Sequence, residues 1–127
     1  VDLCKINLYT GMARLYKIGA AATFIKRGTE VECIASQSLP VGAQVQMDIS
    51  MQETKLMGGD FVVMVTDGVL EYLHVKKPED TMQEIIESIQ TNNPGILAKK
   101  IMERVMLFTG GKAKDDMTVL AACIWEK

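Results

Sequence analysis

Cysteine is scarce in this 127-residue chain, and Cys4, Cys33 and Cys123 stand far apart with no CxxC spacing among them. An odd count in that arrangement excludes a disulfide framework and a cysteine zinc site. Each falls in a strand-like run, so buried, reduced thiols of a cytoplasmic protein are expected. No apolar run approaches the length of a membrane span, and no signal-peptide pattern is present, so this segment is not expected in a membrane. There is no basic stripe: net charge is −2 and the pI near 5.4, which argues against a dedicated nucleic-acid partner. Histidine is reduced to His74, which sits beside Lys76 and Lys77 and reads as an exposed loop residue. No methionine precedes Val1, which already lies in a strand pattern, so the chain is expected to begin inside a domain. Hydrophobic residues make up 48% and charged residues 24%, enough for one folded core and too apolar for disorder.

The rest of the pattern is mainly strands. Residues 1–8 alternate, with Cys4, Ile6 and Leu8 on one face, and residues 12–18 follow after a turn, which makes a hairpin. Residues 19–22 are small and read as a bulge or tight crossing. Residues 23–26 and 29–34 form a second hairpin, with Glu30 and Glu32 facing water. Residues 45–56 alternate again, with Val45, Met47, Ile49 and Met51 on one side, and read as an edge strand. Phe61–Val65 is an unbroken apolar run bounded by glycines, the mark of a strand buried on both faces. The period then changes. Thr81-Met82-Gln83-Glu84 has capping-box form ahead of Ile85, Ile86 and Ile89. Asn93-Pro94 supplies a cap and first residue for a second helix, with Leu97, Ile101 and Val105 on one face. Residues 117–125 are apolar on both faces and read as an interior strand anchored by Trp125. Consecutive hairpins, then helices, then one strand predict an α+β fold in which helices cover antiparallel sheets.

Two acidic turns carry the candidate chemistry. Phe61–Val65 delivers Thr66 and Asp67 to a sharp turn at Gly68, and Asp115 and Asp116 open the last strand. A carboxylate at the end of a buried strand is costly unless paired. Hard oxygen donors suit Mg²⁺ or Mn²⁺, which would offset the mutual repulsion of gathered carboxylates. Such an ion supplies the charge that slow phosphoester hydrolysis needs. Asp-Gly is also a common turn dipeptide, and on spacing alone a purely structural role for Asp67, Asp115 or Asp116 stays open. Val65-Thr66-Asp67-Gly68 also suggests a haloacid-dehalogenase type of phosphatase. That chemistry needs a nucleophilic aspartate where Val65 stands.

Gly59-Asp60-Phe61-Val62-Val63-Met64-Val65-Thr66-Asp67-Gly68-Val69-Leu70-Glu71 and Lys114-Asp115-Asp116-Met117-Thr118-Val119-Leu120 resemble, in that order, the metal-dependent serine/threonine phosphatases of PP2C type. Leu39-Pro40-Val41-Gly42 and the Thr10-Gly11 hairpin are similar to its bacterial branch that regulates sigma factors, and within it to the sporulation phosphatases of bacilli. The resemblance implies an antiparallel β-sandwich flanked by helices, an α-β-β-α arrangement of which residues 1–127 form the C-terminal part. It implies two Mn²⁺ or Mg²⁺ ions bridging a nucleophilic water, and hydrolysis of a phosphoserine on an anti-anti-sigma protein. Carried over, Asp67 and Asp115 are metal ligands, Asp116 takes a position often filled by Asn, and Thr66 and Gly68 support the turn. The sequence departs from its relatives at Gly19-Ala20-Ala21-Ala22, where many carry a Gly-His-x-x-Pro element. The family's first metal-binding aspartate and its Asp-Gly partner lie in upstream strands outside this sequence. The segment is therefore expected to hold an incomplete metal site, and its sheet edges to allow a homodimer, with an interaction module as the alternative to an enzyme.

Overall fold

The computed structural model describes residues 2–35, 50–108 and 116–125. Seven strands are present among them: β1 (Asp2–Ile6), β2 (Met12–Lys17), β3 (Thr23–Arg27), β4 (Glu30–Ile34), β5 (Ser50–Lys55), β6 (Phe61–Val65) and β7 (Val119–Cys123). Three helices, α1 (Asp67–Tyr72), α2 (Pro78–Glu87) and α3 (Pro94–Met106), lie between β6 and β7. The strands form two antiparallel sheets, ordered β1-β2-β5 and β4-β3-β6-β7.

The first two hairpins form where turn chemistry places them. Asn7 Oδ1 accepts from the Tyr9 and Thr10 amides, which closes the β1–β2 turn. Gly11 follows at φ +74°, and a Cβ there would stand 2.7 Å from the Leu56 carbonyl oxygen, so the position takes no larger residue. The turn starts at Leu8, which is exposed, not at the end of an eight-residue strand.

Period-two alternation in β3, β4 and β6 sends side chains to two separate cores. Ala13, Leu15, Ile25, Val62, Leu56 and Ile34 fill the space between the sheets. Phe24, Val31, Phe61, Val63 and Val65 point the other way, against the helices. β6 is thus buried on both faces, as its unbroken apolar run requires. α3 presents Leu97, Ile101 and Val105, all fully buried, at four-residue spacing. Each contributes roughly 1.5–3 kcal/mol by leaving water. Asn93 caps the helix by accepting from the Ile96 amide at 3.2 Å, with Pro94 in its first turn.

Several sequence expectations are corrected. α2 begins at Pro78, three residues before Thr81, because proline at the first helical position fixes φ and Glu79 and Asp80 complement the helix N-terminus. Its regular turns end at Glu87, with Ser88 as C-cap, although Ile89 stays buried on the same face. In β5, Met51 is exposed while Gln52 and Thr54 face inward, since pairing sets Gln52 opposite Leu15 and Thr54 opposite Ala13. Residues 45–49 lie outside the described residues. β7 is an edge strand among the described residues, not an interior one; Leu120 is exposed, and so is Trp125, which is not buried as an anchor of the strand would be. The cysteines are half-buried, and burial is the main reason each thiol titrates above its ordinary value.

Lys26 is buried on β3 and donates from Nζ to the Ile86 carbonyl of α2 at 3.1 Å. Burial pulls its amine below the ordinary 10.5, partly countered by Glu87. Below the lowered pKa both folded and unfolded chains hold the proton, and the full penalty of the buried charge is felt. Between that pKa and 10.5 the unfolded chain holds more protons, so stability rises with pH. Urea unfolding at stepped pH should show this rise in the parent and not in Lys26→Met. Parallel profiles would show that Lys26 stays charged throughout.

Candidate active-site cleft

β6 and β7 run antiparallel with Val65 opposite Val119. The next rung is completed by threonines. The Thr66 amide donates to the Thr118 carbonyl at 3.1 Å, and the Thr118 amide donates to Thr66 Oγ1 at 3.0 Å. The Thr66 hydroxyl sits at the N-cap of α1 and would ordinarily accept from that helix's own amides. Here it makes no cap bond and accepts across the strands. The two acidic turns are joined by this pair of bonds.

A cavity of about 670 Å³ opens at this end of the sheets. Thr66, Asp67, Gly68 and Glu71 line one side, and Asp116, Thr118 and Leu120 come from the other turn. Gly19, Ala20 and Ala21, with Asp2, complete the wall. Asp67 and Asp116 are both exposed, so their carboxylates meet solvent at the cavity. Asp115 lies outside the described residues. Gly68 is not the apex of a sharp turn: it is the second residue of α1, and Asp67 opens that helix. An acidic residue there is favoured by the helix N-terminus whatever else it does. The short helix is held by Val69, Leu70 and Tyr72, all buried. His74 is exposed at φ +50°, just after α1, and does not line the cavity.

The donor set is hard and oxygen-only, which suits Mg²⁺ or Mn²⁺. Among the described residues no three acidic, histidine or cysteine side chains group closely enough to hold an ion. Asp67 and Asp116 supply two hard oxygen donors at one cavity, fewer than an ion needs by themselves. Asp2 was not legible as a cavity residue, because a lone acid at the start of a strand reads as a solvated end. Its only signal is register, which makes it the cross-strand partner of Lys17.

Thr66→Val keeps the side-chain shape and removes the acceptor of the Thr118 amide. That bond contributes about 1 kcal/mol, so hydrogen exchange at Thr118 should quicken roughly fivefold. An unchanged rate would mean that the backbone rung alone holds the turns together.

The two antiparallel sheets, with helices on the β4-β3-β6-β7 sheet, match the architecture of solved PP2C-type phosphatase domains. Within that class, the chain belongs to the stage II sporulation protein E family, whose pattern it matches over residues 1–125. It is 32% identical over 125 residues to stage II sporulation protein E of Bacillus subtilis strain 168 and 36% identical over 123 residues to that of Priestia megaterium. Those alignments take in 98% and 96% of the chain, which spans 15% and 21% of the length of these curated relatives. The Mn-presoaked structure of the phosphatase domain of the cell fate determinant SpoIIE from Bacillus subtilis superposes with a TM-score of 0.87 at 30% identity. That match covers all of this chain and 57% of the other. Among the described residues no helix is long and apolar enough to cross a membrane.

Proposed function

We propose that residues 1–127 are the C-terminal part of a PP2C-type domain that hydrolyses phosphoserine on a protein of the anti-anti-sigma class, in the cytoplasm. One observation carries the reading: the Thr66–Thr118 bonds bring Asp67 and Asp116 to one solvent-open cavity. Family membership and the Mn-presoaked relative support a metal-dependent phosphatase. Asp67, Asp115 and Asp116 are the residues that would hold Mn²⁺ or Mg²⁺, two ions being expected in the complete domain. When bound, the metal supplies positive charge to the phosphoester oxygens. The chain's own part is to fix carboxylates at the ends of adjacent strands and leave the cleft open to a phosphorylated loop. Small residues 19–21 keep one wall low. The test is Mn²⁺-dependent release of phosphate from a phosphoserine anti-anti-sigma protein by the full-length protein carrying this chain. Release that continues undiminished in excess chelator would overturn the reading.

A second reading is favoured by β7, which has no partner strand on its outer edge among the described residues and whose exposed Leu120 also lines the cleft. An edge of this kind suits strand addition by a second copy. Sedimentation of the full-length protein distinguishes a dimer from a monomer, and loss of the dimer in Leu120→Lys would place its interface at β7.

A further inference from the structure

Lys17 is buried, its side chain only 1% exposed, yet it carries a charged group to the end of β2. Nζ donates to Asp2 Oδ1 at 2.9 Å and to the Ala21 carbonyl at 2.6 Å. Asp2 and Lys17 are directly opposite in the β1–β2 ladder. Beyond this rung the chain leaves the sheet through residues 18–22 before β3 begins. Both acceptors, Asp2 and Ala21, line the cavity that Asp67 and Asp116 face. A buried ion pair is weak support for stability, because replacing both members by apolar residues is often neutral. Its position offers a better account: one ammonium binds together two separate pieces of the same cavity wall.

We propose that Lys17 and Asp2 are positioning residues, holding the 19–21 wall and the start of β1 at a fixed separation across the cleft from Asp67. The inference rests on the phosphatase reading of the cleft. Lys17 touches neither Asp67 nor Asp116; it acts through Ala21 and Asp2. The wall it fixes has small side chains and lies outside the regular strands, with Ala21 and Ala22 also packed in the core beneath it.

The test uses the full-length protein and two variants. Lys17→Met alone would leave Asp2 without its counter-charge and confound stability with function. Lys17→Met/Asp2→Leu removes the pair together and leaves no stranded charge. Lys17→Gln/Asp2→Asn keeps both shapes and strands no charge, and it decides the matter if the apolar double variant does not fold. Mn²⁺ binding is read by electron paramagnetic resonance, which does not depend on turnover, and turnover of a phosphoserine protein is read beside it. The expected result is a rise of about tenfold in the Mn²⁺ concentration for half-saturation, the scale seen when partners behind a metal site are lost. kcat should fall by a similar factor with KM within about twofold, and amide exchange of residues 19–21 should quicken. A folded variant with unchanged Mn²⁺ affinity and unchanged exchange would overturn the proposal. If the parent binds Mn²⁺ but releases no phosphate, the phosphatase reading fails, while the binding and exchange measurements still decide the role of Lys17 and Asp2.

Discussion

Asp67→Asn in the full-length protein should remove phosphoserine hydrolysis almost completely, by more than the roughly 10- to 100-fold that loss of an outer partner of a metal produces. The substitution keeps the size of the side chain and its place at the start of α1. It removes the charge that a hard cation would meet at the cavity. The fold should tolerate it, because Asp67 is exposed and makes no hydrogen bond on which β6 depends. Asp116→Asn should be milder, since the family often places asparagine at this position. Measuring kcat, KM and Mn²⁺ half-saturation for both variants gives the ranking. An Asp67→Asn enzyme with parental turnover would remove Asp67 from the site, and equal losses in the two variants would make Asp116 a ligand of the same standing.

What could be read in advance divides by the range of the forces involved. β6 was legible because five consecutive apolar residues have few ways to be buried, and α3 because its cap, proline and four-residue apolar spacing are all local signals. The meeting of the two acidic turns was legible from motif order, but the bonds that achieve it were not. Thr66 has the residue type and place of a helix cap, and only the register of β6 on β7 turns its hydroxyl to the Thr118 amide. α1 was missed because Asp-Gly ordinarily marks a turn; burial of Val69, Leu70 and Tyr72 overrides that tendency in six residues. The face of β5 was missed for a related reason. Alternation says that two faces differ, and the partner strand decides which one turns inward. The burial of Lys17 and Lys26 had no local signal, since lysine is rarely buried without partners. Their partners, carbonyls of Ala21 and Ile86 and the carboxylate of Asp2, come from chain positions that no local pattern connects.

Arg27→Met should produce the largest loss of stability of any change to a partly exposed side chain, and should leave the cleft intact. Arg27 ends β3 at the opposite end of β6 from Asp67, because Lys26 pairs with Phe61 and Thr23 with Met64. Its guanidinium joins four groups. Nε reaches Asp60 Oδ2 at 3.3 Å, Nη1 reaches Glu32 Oε2 at 3.0 Å, and Nη2 donates to Thr54 Oγ1 and the Lys55 carbonyl, both at 2.9 Å. Thr54 and Lys55 belong to the three-stranded sheet and Arg27 and Glu32 to the other, so one side chain ties the sheets together. Asp60 is buried and also accepts from the Met57 amide at 2.8 Å. Without Arg27 its carboxylate loses its counter-charge. Breaking a fully buried pair costs about 3–5 kcal/mol. The Arg27 side chain is 36% exposed, and water replaces part of what is lost. A figure of roughly 2–3 kcal/mol follows after that screening. The measurement is urea unfolding of parent, Arg27→Met, Asp60→Asn and the double variant. If the pair is coupled, the double variant should lose clearly less than the sum of the single losses. The Mn²⁺ affinity of folded Arg27→Met should match the parent, since the acidic turns and their threonine bonds lie at the other end of β6. Strict additivity would show that Arg27 acts only through Thr54, Lys55 and Glu32, and a weakened Mn²⁺ affinity would show that the two ends of β6 are mechanically linked.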